Sequence, residues 1–314
     1  MNFFKPILFV FLSIIAFQFC EAQDPNVDYG NAFNEKTHSY GLNDFNIVKR
    51  KVRYSQDTMD NRGFVFGISM GVFKGNDYNA NFYSGADINE NNIRYITSNP
   101  YRYYEIYQYL GRNYDSVNIQ PPTSMTYDIA TMIGFSFHYN FKRNLGFFVN
   151  VNYAKLNTTG QFALAIDSAT FTSQPALRFF PIIGMEQRTY IDIGLQKQIQ
   201  IGNLANFWYE YGLSINSSSV KLSEIQVGNQ TYSLVNNLIN QNYVPNTQQS
   251  TYNVYQGGIG FGLFFGTGIS LIVTNNVSVD PGFELYYHKM AFDGYPDFKF
   301  NYHFFVRLMM RNFL

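Results

Sequence analysis

From residue 63 onward, apolar and polar side chains alternate along the chain in segment after segment. In the clearest segment, apolar, aromatic or threonine side chains occupy the odd positions from Tyr127 to Phe141, whereas Ser136, His138 and Asn140 lie at even positions. Successive side chains of a β-strand point to opposite faces, so this period of two predicts strands with one apolar face. Eight segments show the pattern: 64–72, 127–141, 147–154, 191–201, 208–215, 252–273, 277–287 and 300–310.

The connections between these segments alternate in length. Three are tight, at 142–144, 202–204 and 274–276, and four are long, at 74–124, 157–174, 217–251 and 291–297. Outer-membrane barrels have an even number of antiparallel strands, with short turns in the periplasm and long loops outside. The sequence therefore predicts an all-β fold, an eight-stranded antiparallel transmembrane up-and-down β-barrel over 63–314, with both ends in the periplasm.

The composition favours a lipid environment for this barrel. Charged residues make up 14% of the chain and aromatic residues 19%, whereas soluble proteins average about 25% charged residues. Beyond residue 22 there is no stretch of the ~20 apolar residues that a membrane helix needs. A closed barrel can present an apolar surface to lipid because its strands satisfy every backbone hydrogen bond. A soluble β-sandwich would also alternate, but with its apolar face inward.

The N-terminal residues have the organisation of a signal peptide, predicted over 1–22. Lys5 precedes the apolar run 7–19, and the sequence Cys20-Glu21-Ala22 offers a small-x-small cleavage pattern. Cleavage after Ala22 removes the only cysteine, and with it any disulfide or thiolate site. Residues 23–62 are polar and are predicted to form a periplasmic N-terminal segment. This segment is either a loose tail or an element that docks a partner or folds into the barrel mouth.

These features together resemble a known class of proteins. The junction Ala22-Gln23, the Tyr- and Phe-rich strands and the terminal strand 300–313 are similar to small outer-membrane barrels of Bacteroidota, nearest to the PorT-like family. The resemblance covers about 63–314 and is one of pattern. It implies a location in the cell outer membrane and, as in some members, service to a protein secretion system.

The lumen of an eight-stranded barrel is just wide enough for side chains to fill it, which disfavours a broad pore. Inward positions include several bulky residues: Phe148, Tyr190, Trp208, Phe264, Tyr286 and Phe305. Glycines recur on one face of segment 252–273, from Gly258 to Gly268. Such a row either lets the strand bend at a barrel corner or leaves room for bulky neighbours.

The last hairpin suggests two polar pairs inside the lumen. A register in which paired residue numbers sum to 591 places Glu284 opposite Arg307 and Asp280 opposite Arg311. Facing carboxylates and guanidiniums in a poorly hydrated lumen favour pairing. We expect the pairs to fix packing and register. The alternative interpretation is a polar relay or a narrow conduction path.

The same register places His288 opposite His303 at the outer rim, with Asp293 in the adjoining loop. Two imidazoles and a carboxylate could bind a metal or act as a base. No third ligand is fixed by spacing, so ordinary rim residues are the favoured interpretation. We therefore predict no metal, no cofactor and no catalytic residue.

Other function classes find little support in the sequence. The formal net charge is zero, which gives no electrostatic case for nucleic acid. The serines form no Gly-x-Ser-x-Gly elbow, and the Gly-x-Gly repeats lie inside a strand and not before a helix. The prediction is a non-enzymatic structural or accessory component of the envelope. The alternatives are a surface-facing barrel enzyme acting on lipid or peptide, or a narrow channel.

The expected partners follow from this prediction. Outer-membrane lipid surrounds the barrel, and envelope or secretion-system proteins could dock on the N-terminal segment or the outer loops. The first long loop is rich in tyrosine, with six between Tyr101 and Tyr114. Tyrosine offers contact area at low entropic cost and is common where proteins recognise one another. An ordinary solvated loop is the alternative.

Overall fold

A computed structural model describes residues 62–88, 92–142, 144–167, 175–201, 204–234, 257–274, 276–292 and 294–311. The predicted signal peptide lies outside the described residues, as does the predicted periplasmic segment apart from Arg62. Asp293, named above as a rim candidate, lies outside them as well.

The described residues form ten strands, of which eight close into a ring. The strands are β1 Gly63–Lys74, β2 Tyr114–Gln120, β3 Ala130–Lys142, β4 Leu145–Ile166, β5 Ala176–Gln200, β6 Ala205–Val227, β7 Gln230–Ser233, β8 Gly257–Thr274, β9 Val277–Lys289 and β10 Phe298–Arg311. The ring omits the short strands β2 and β7, and every neighbouring pair in it is antiparallel. Strand β1 closes it, since Ile68 lies opposite both Phe135 of β3 and Leu308 of β10. The predicted eight-stranded barrel is confirmed.

The exterior of the ring is apolar, as the alternating sequence requires. Large apolar side chains are exposed on its outward face, among them Phe64, Met70, Ile133, Phe135, Phe137, Leu213, Phe261, Phe304 and Leu308. Polar neighbours such as Ser136, Asn150 and Asn301 are buried inside the ring. Water contact would cost roughly 25 cal/mol per Å² of this apolar surface. A bilayer removes that cost, so this exterior is that of a barrel embedded in the outer membrane.

Three strands continue far beyond the membrane. Strands β4, β5 and β6 contain 22, 25 and 23 residues, about twice the 9–11 that a transmembrane strand needs. The predicted loops 157–174 and 217–251 were therefore wrong over 157–166 and 217–227, which are strand. Within 217–251, residues 230–233 are strand as well and form β7, which extends this wall as a hairpin with β6.

The reason for this error is an inversion of the alternation above the membrane. On β4 the inward side chains of Leu156, Phe162 and Leu164 are buried, while the outward Lys155 and Gln161 are exposed. The period of two continues, but the apolar face now points inward, as in a soluble β-sheet. The extended wall stands in water and encloses an apolar core.

The first long connection folds over this wall as a cap. It contains α1 Asp77–Ala80, a 3₁₀ turn at Asn81–Ser84, α2 Ile93–Ser98 and α3 Pro100–Leu110, followed by β2, which pairs with β4. None of the described helices is long and apolar enough to cross a membrane.

Local sequence signals explain where the cap helices begin and end. The side chains of Asn76, Asn92 and Asn99 accept hydrogen bonds from backbone N–H groups in the first turns of α1, α2 and α3. Gly111 ends α3 with a positive φ of 65°, the left-handed conformation that glycine adopts without strain.

The cap is held by burial of its apolar side chains. Ile93, Ile96 and Ile106 belong to one buried cluster with Leu164 of β4 and Ile182 of β5. Each fully buried aliphatic side chain contributes about 1.5–3 kcal/mol relative to exposure. The cap therefore covers the long-loop end of the barrel, which is opposite to the short turns.

Candidate functional site: the lumen and its cap

Aromatic side chains fill the lumen. Phe148 and Phe264 are buried and lie 5.5 Å apart, centroid to centroid, in an edge-to-face arrangement. Trp208 is fully buried and lies 6.1 Å from Phe305. The predicted glycine row makes room for this bulk at Gly268, where a Cβ atom would come within 2.5 Å of the Trp208 ring.

A buried guanidinium lies at the centre of the polar side chains. Arg307 on β10 donates to Glu210 of β6 at 2.8 Å and to Glu284 of β9 at 3.2 Å. Its guanidinium carbon also lies 5.4 Å from the centroid of the Trp208 ring. Because Arg307 has two carboxylate partners and an aromatic face, its charge is compensated from three directions.

One hydroxyl joins two of the buried carboxylates. The hydroxyl of Tyr286 is 2.7 Å from Glu284 and 3.1 Å from Asp192. Asn152 also donates to Asp192, at 3.1 Å, and Ser214 donates to its other carboxylate oxygen. A tyrosine hydroxyl has a single proton and can donate to only one carboxylate at a time. The contact with the other carboxyl group becomes a hydrogen bond when that second carboxyl group carries a proton and donates it to the tyrosine oxygen.

The chain of contacts extends to both sides of Arg307. The Gln196 amide donates to Glu210 at 2.8 Å, and its oxygen lies 3.3 Å from Nδ1 of His138. On the other side, Nδ1 of His303 is 2.8 Å from Glu284. We call the set Asp192, Glu210, Glu284, Tyr286, His303 and Arg307 the lumen network. Its members come from β5, β6, β9 and β10, so ring closure brings them together.

The predicted register of the last hairpin was wrong. Residue numbers of paired β9 and β10 residues sum to 587 and not to 591, so Arg307 lies opposite Asp280 and His303 opposite Glu284. A shift of four residues keeps every side chain on its own face, and the alternation therefore cannot distinguish the two registers. Glu284 and Arg307 still form an ion pair, because the long arginine side chain reaches diagonally along the strand.

The predicted pairing of Asp280 with Arg311 across the hairpin changes with the register. Arg311 lies opposite Val65 of β1 and beyond the last β9 pair, which joins Met310 to Val277. Its backbone N–H donates to the carbonyl of Asn276 at 2.8 Å, at the turn between β8 and β9. The two side chains are thus not directly opposed.

The two candidate rim histidines do not face each other. His288 lies opposite Lys299, and its ring stacks on Tyr190 at 5.3 Å and lies 5.0 Å from the ring of Tyr286. Both His288 and His303 are buried in the lumen and not exposed at a rim. Among the described residues there is no group of three or more His, Cys, Asp or Glu side chains placed to hold a metal ion.

A second buried ion pair lies on β5 and is hydrogen-bonded to the cap. Glu186 and Arg188 of β5 are fully buried and in contact. The hydroxyls of Tyr83, in the cap, and Tyr127 donate to Glu186 at 2.6 Å and 3.0 Å. Sequence reasoning missed this pair because it began the strand at Ile191. The signal was present in the inward series of polar and aromatic residues at positions 186, 188, 190 and 192.

The cap carries its own polar contacts away from the membrane. Burial raises the pKa of the Tyr114 hydroxyl, with the neighbouring Tyr103 and Tyr232 as lesser causes. This hydroxyl donates to the carbonyl of Thr97 at 2.8 Å, and the Tyr114 ring stacks on Tyr103 with centroids 4.5 Å apart. These contacts hold β2 against α2 and α3, so the three elements of the cap pack as one unit.

Three of the solved structures that the chain resembles at a low level illustrate the comparison. They are Neisserial surface protein A, the outer membrane protein OprG from Pseudomonas aeruginosa, and Ail, the attachment invasion locus protein of Yersinia pestis, in complex with the heparin analogue sucrose octasulfate. The identities are 12%, 10% and 10%, and the TM-scores are 0.38, 0.37 and 0.32. Each covers 79% of this chain and, in the same order, 96%, 96% and 99% of the other chain. No protein-family model and no curated protein matches the chain.

These values are too low to carry an argument, and the class rests on the structure itself. The closed ring of eight strands, its apolar exterior and its polar, filled interior define a small outer-membrane β-barrel.

Proposed function

We propose that the protein is a closed outer-membrane barrel that serves as a non-enzymatic structural or accessory component of the envelope and displays its cap outside the cell. The observation that carries this proposal is the double obstruction of the barrel. Aromatic side chains and the lumen network fill the lumen, and the folded cap covers the long-loop end. A transport path would need open space at both levels.

The cap supplies a surface for recognition. Four tyrosines of the cap are more than half exposed: Tyr95 on α2, and Tyr101, Tyr104 and Tyr109 on α3. Tyrosine is enriched at protein interfaces because it buries a large area at low entropic cost. The partner proposed for these tyrosines is a protein of secretion or envelope assembly, the role that the resemblance to PorT-like barrels of Bacteroidota implies.

Site-specific crosslinking in the native membrane tests the proposal. A photoreactive amino acid at Tyr104, which is exposed on α3, should yield a discrete crosslinked protein. The same substitution at Phe304, which is exposed on the lipid face of β10, is the matched control and should yield lipid adducts only. Absence of any protein adduct from all four tyrosine positions would contradict an accessory role.

Two assays address the alternative functions. The purified barrel in a planar bilayer should show no conductance steps, and reproducible steps would favour a narrow channel. Incubation with outer-membrane lipids and peptides should release no product. Turnover would instead favour a surface enzyme.

A further inference from the structure

A pocket opens sideways on the outer wall of the barrel extension, away from the lumen. It has a volume of about 700 Å³ and lies between residues 120–124 and the outward face of β4 and β5. This volume falls within the range of about 300–1,000 Å³ that is typical of small-molecule sites. We call it the lateral pocket.

The floor of the lateral pocket is fixed by strand pairing. Gln161 of β4 lies opposite Pro181 of β5, and Ala163 lies opposite Phe179. The residues between them in sequence, such as Phe180, are buried on the inner face of the wall. The floor therefore cannot rotate or slide without disrupting the core beneath it.

The side wall of the pocket is also held in place. Pro121 and Pro122 restrict the backbone there, because a proline ring fixes φ. Just after this wall, the backbone N–H of Met125 donates to the side chain of Asn81 at 2.7 Å, and Thr158 donates to the carbonyl of Thr126 at 2.7 Å. A pocket with fixed walls loses little conformational entropy when a ligand binds.

The lining combines flat apolar faces with neutral polar groups. Phe179 is 65% exposed and borders the pocket together with Pro121, Pro122 and Pro181. The polar part consists of amides and hydroxyls, from Gln120, Thr123, Ser124, Thr159 and Gln161. Among the described residues that line the pocket, none is ionisable.

This lining matches one class of ligand better than others. A sugar ring has an apolar face of C–H groups and a rim of hydroxyls that both donate and accept hydrogen bonds. The apolar face fits against an aromatic or proline ring, and amides and hydroxyls satisfy the rim. A phosphate or carboxylate would find no cationic partner in the pocket, and its desolvation would be costly.

The height of the pocket indicates where such a ligand would come from. The outward positions of β4 become polar after Tyr153, beginning with Lys155, which marks the edge of the lipid-facing band. Gln161 lies six residues beyond Lys155 along the strand. At about 3.3 Å per residue and a tilt of about 45°, the pocket lies roughly 14 Å above the band. Sugar chains of outer-leaflet glycolipids occupy this level, and the pocket opens sideways toward them.

We propose that the lateral pocket binds a neutral saccharide of the cell's own surface coat, with Phe179 stacking on a sugar ring and Gln161 hydrogen-bonding its hydroxyls. The site is distinct from the tyrosine-rich face of the cap. It does not depend on whether that face binds a protein.

Calorimetry on the full-length protein in nanodiscs tests the proposal. The first probe is the dephosphorylated oligosaccharide released from the surface glycolipid of the producing bacterium. The second is cellotriose, a neutral saccharide from outside the cell, and the third is a proline-rich peptide. The coat oligosaccharide should bind, and Phe179→Ala should weaken its binding at least tenfold and Gln161→Ala severalfold.

The control variant is Val117→Ala. Val117 is 63% exposed on β2 but does not line the pocket, so this substitution should leave binding unchanged. Retained heat resistance on a gel would show that each variant is folded. The proposal is overturned if no saccharide binds, or if Phe179→Ala has no effect. Preference for cellotriose would refute the coat as the source, and preference for the peptide would refute the saccharide class.

Discussion

At the scale of single residues, Arg307 controls the charge balance of the lumen. It is buried between Glu210 and Glu284, and it contacts the ring of Trp208. Loss of one partner of a buried ion pair leaves an uncompensated charge, which costs about 3–5 kcal/mol. The same arrangement provides its own reporter, because Trp208 is the only tryptophan of the chain.

We therefore expect Arg307→Met to lower the free energy of unfolding by about 3–5 kcal/mol. Urea titration of the barrel in lipid vesicles, followed by Trp208 fluorescence, measures this change. The matched control is Arg94→Met, because Arg94 forms an exposed ion pair with Asp87 in the cap. Exposed pairs contribute about 0–1 kcal/mol. Equal losses in the two variants would show that the lumen network does not stabilise the barrel.

Glycine at position 268 is required by packing and not by backbone conformation. A Cβ atom there would come within 2.3 Å of the carbonyl oxygen of Pro281 and within 2.5 Å of the Trp208 ring. Gly268→Ala should therefore cost about 1–3 kcal/mol, the usual range for overpacking, and should shift the Trp208 emission.

Gly258 on the same strand provides the control for this prediction. An added Cβ there meets only the Cβ of Ala291, at 3.1 Å. Gly258→Ala should therefore cost less than Gly268→Ala in the same urea titration. The reverse order would contradict the role of Gly268 as space for the indole.

At the scale of elements, the sequence predicted the eight strands of the ring and their lipid-facing sides, but not the extensions of β4, β5 and β6 or the register of the last hairpin. The faces follow from a period of two, which Phe283 and Phe304 obey in either register. The register depends on where the 290–297 connection folds, and there Met290, Phe292 and Tyr295 are buried in the cap core. No local pattern reports that tertiary packing.

Cysteine pairs can verify the register. In the structure Phe283 lies directly opposite Phe304 on the outward face, so Phe283→Cys with Phe304→Cys should form a disulfide under mild oxidation. Directly opposed residues have Cα atoms about 4.5–5.5 Å apart, which suits a disulfide. The control is the pair Tyr287→Cys with Phe304→Cys. These two residues are directly opposed only in the register predicted from the sequence, so this pair should stay reduced. Efficient oxidation of the control pair alone would restore the register predicted from the sequence.

The candidate site was only partly predictable for a related reason. Glu284, Arg307 and His303 lie on neighbouring strands, so a hairpin argument brought them near one another. Glu210 and Asp192 lie on strands that reach the same point only when the ring closes. Reasoning along the chain, one hairpin at a time, cannot show which of the other inward residues these two contact.

At the scale of the whole molecule, the barrel is obstructed at two separate levels, and the two obstructions can be tested independently. The cap and the extended wall form the outer level, while Trp208 and Arg307 with its partners form the inner one.

If the inner level alone blocks ions, replacing the cap segment 77–128 with a short linker should leave the barrel without conductance in a planar bilayer. The double substitution Trp208→Ala with Arg307→Ser in that shortened barrel should then produce conductance steps, because it removes the largest side chain and the central charge of the lumen. Heat resistance on a gel would establish that both proteins are folded. Conductance after removal of the cap alone would mean that the cap is a gate, and would support the narrow channel over the closed accessory barrel.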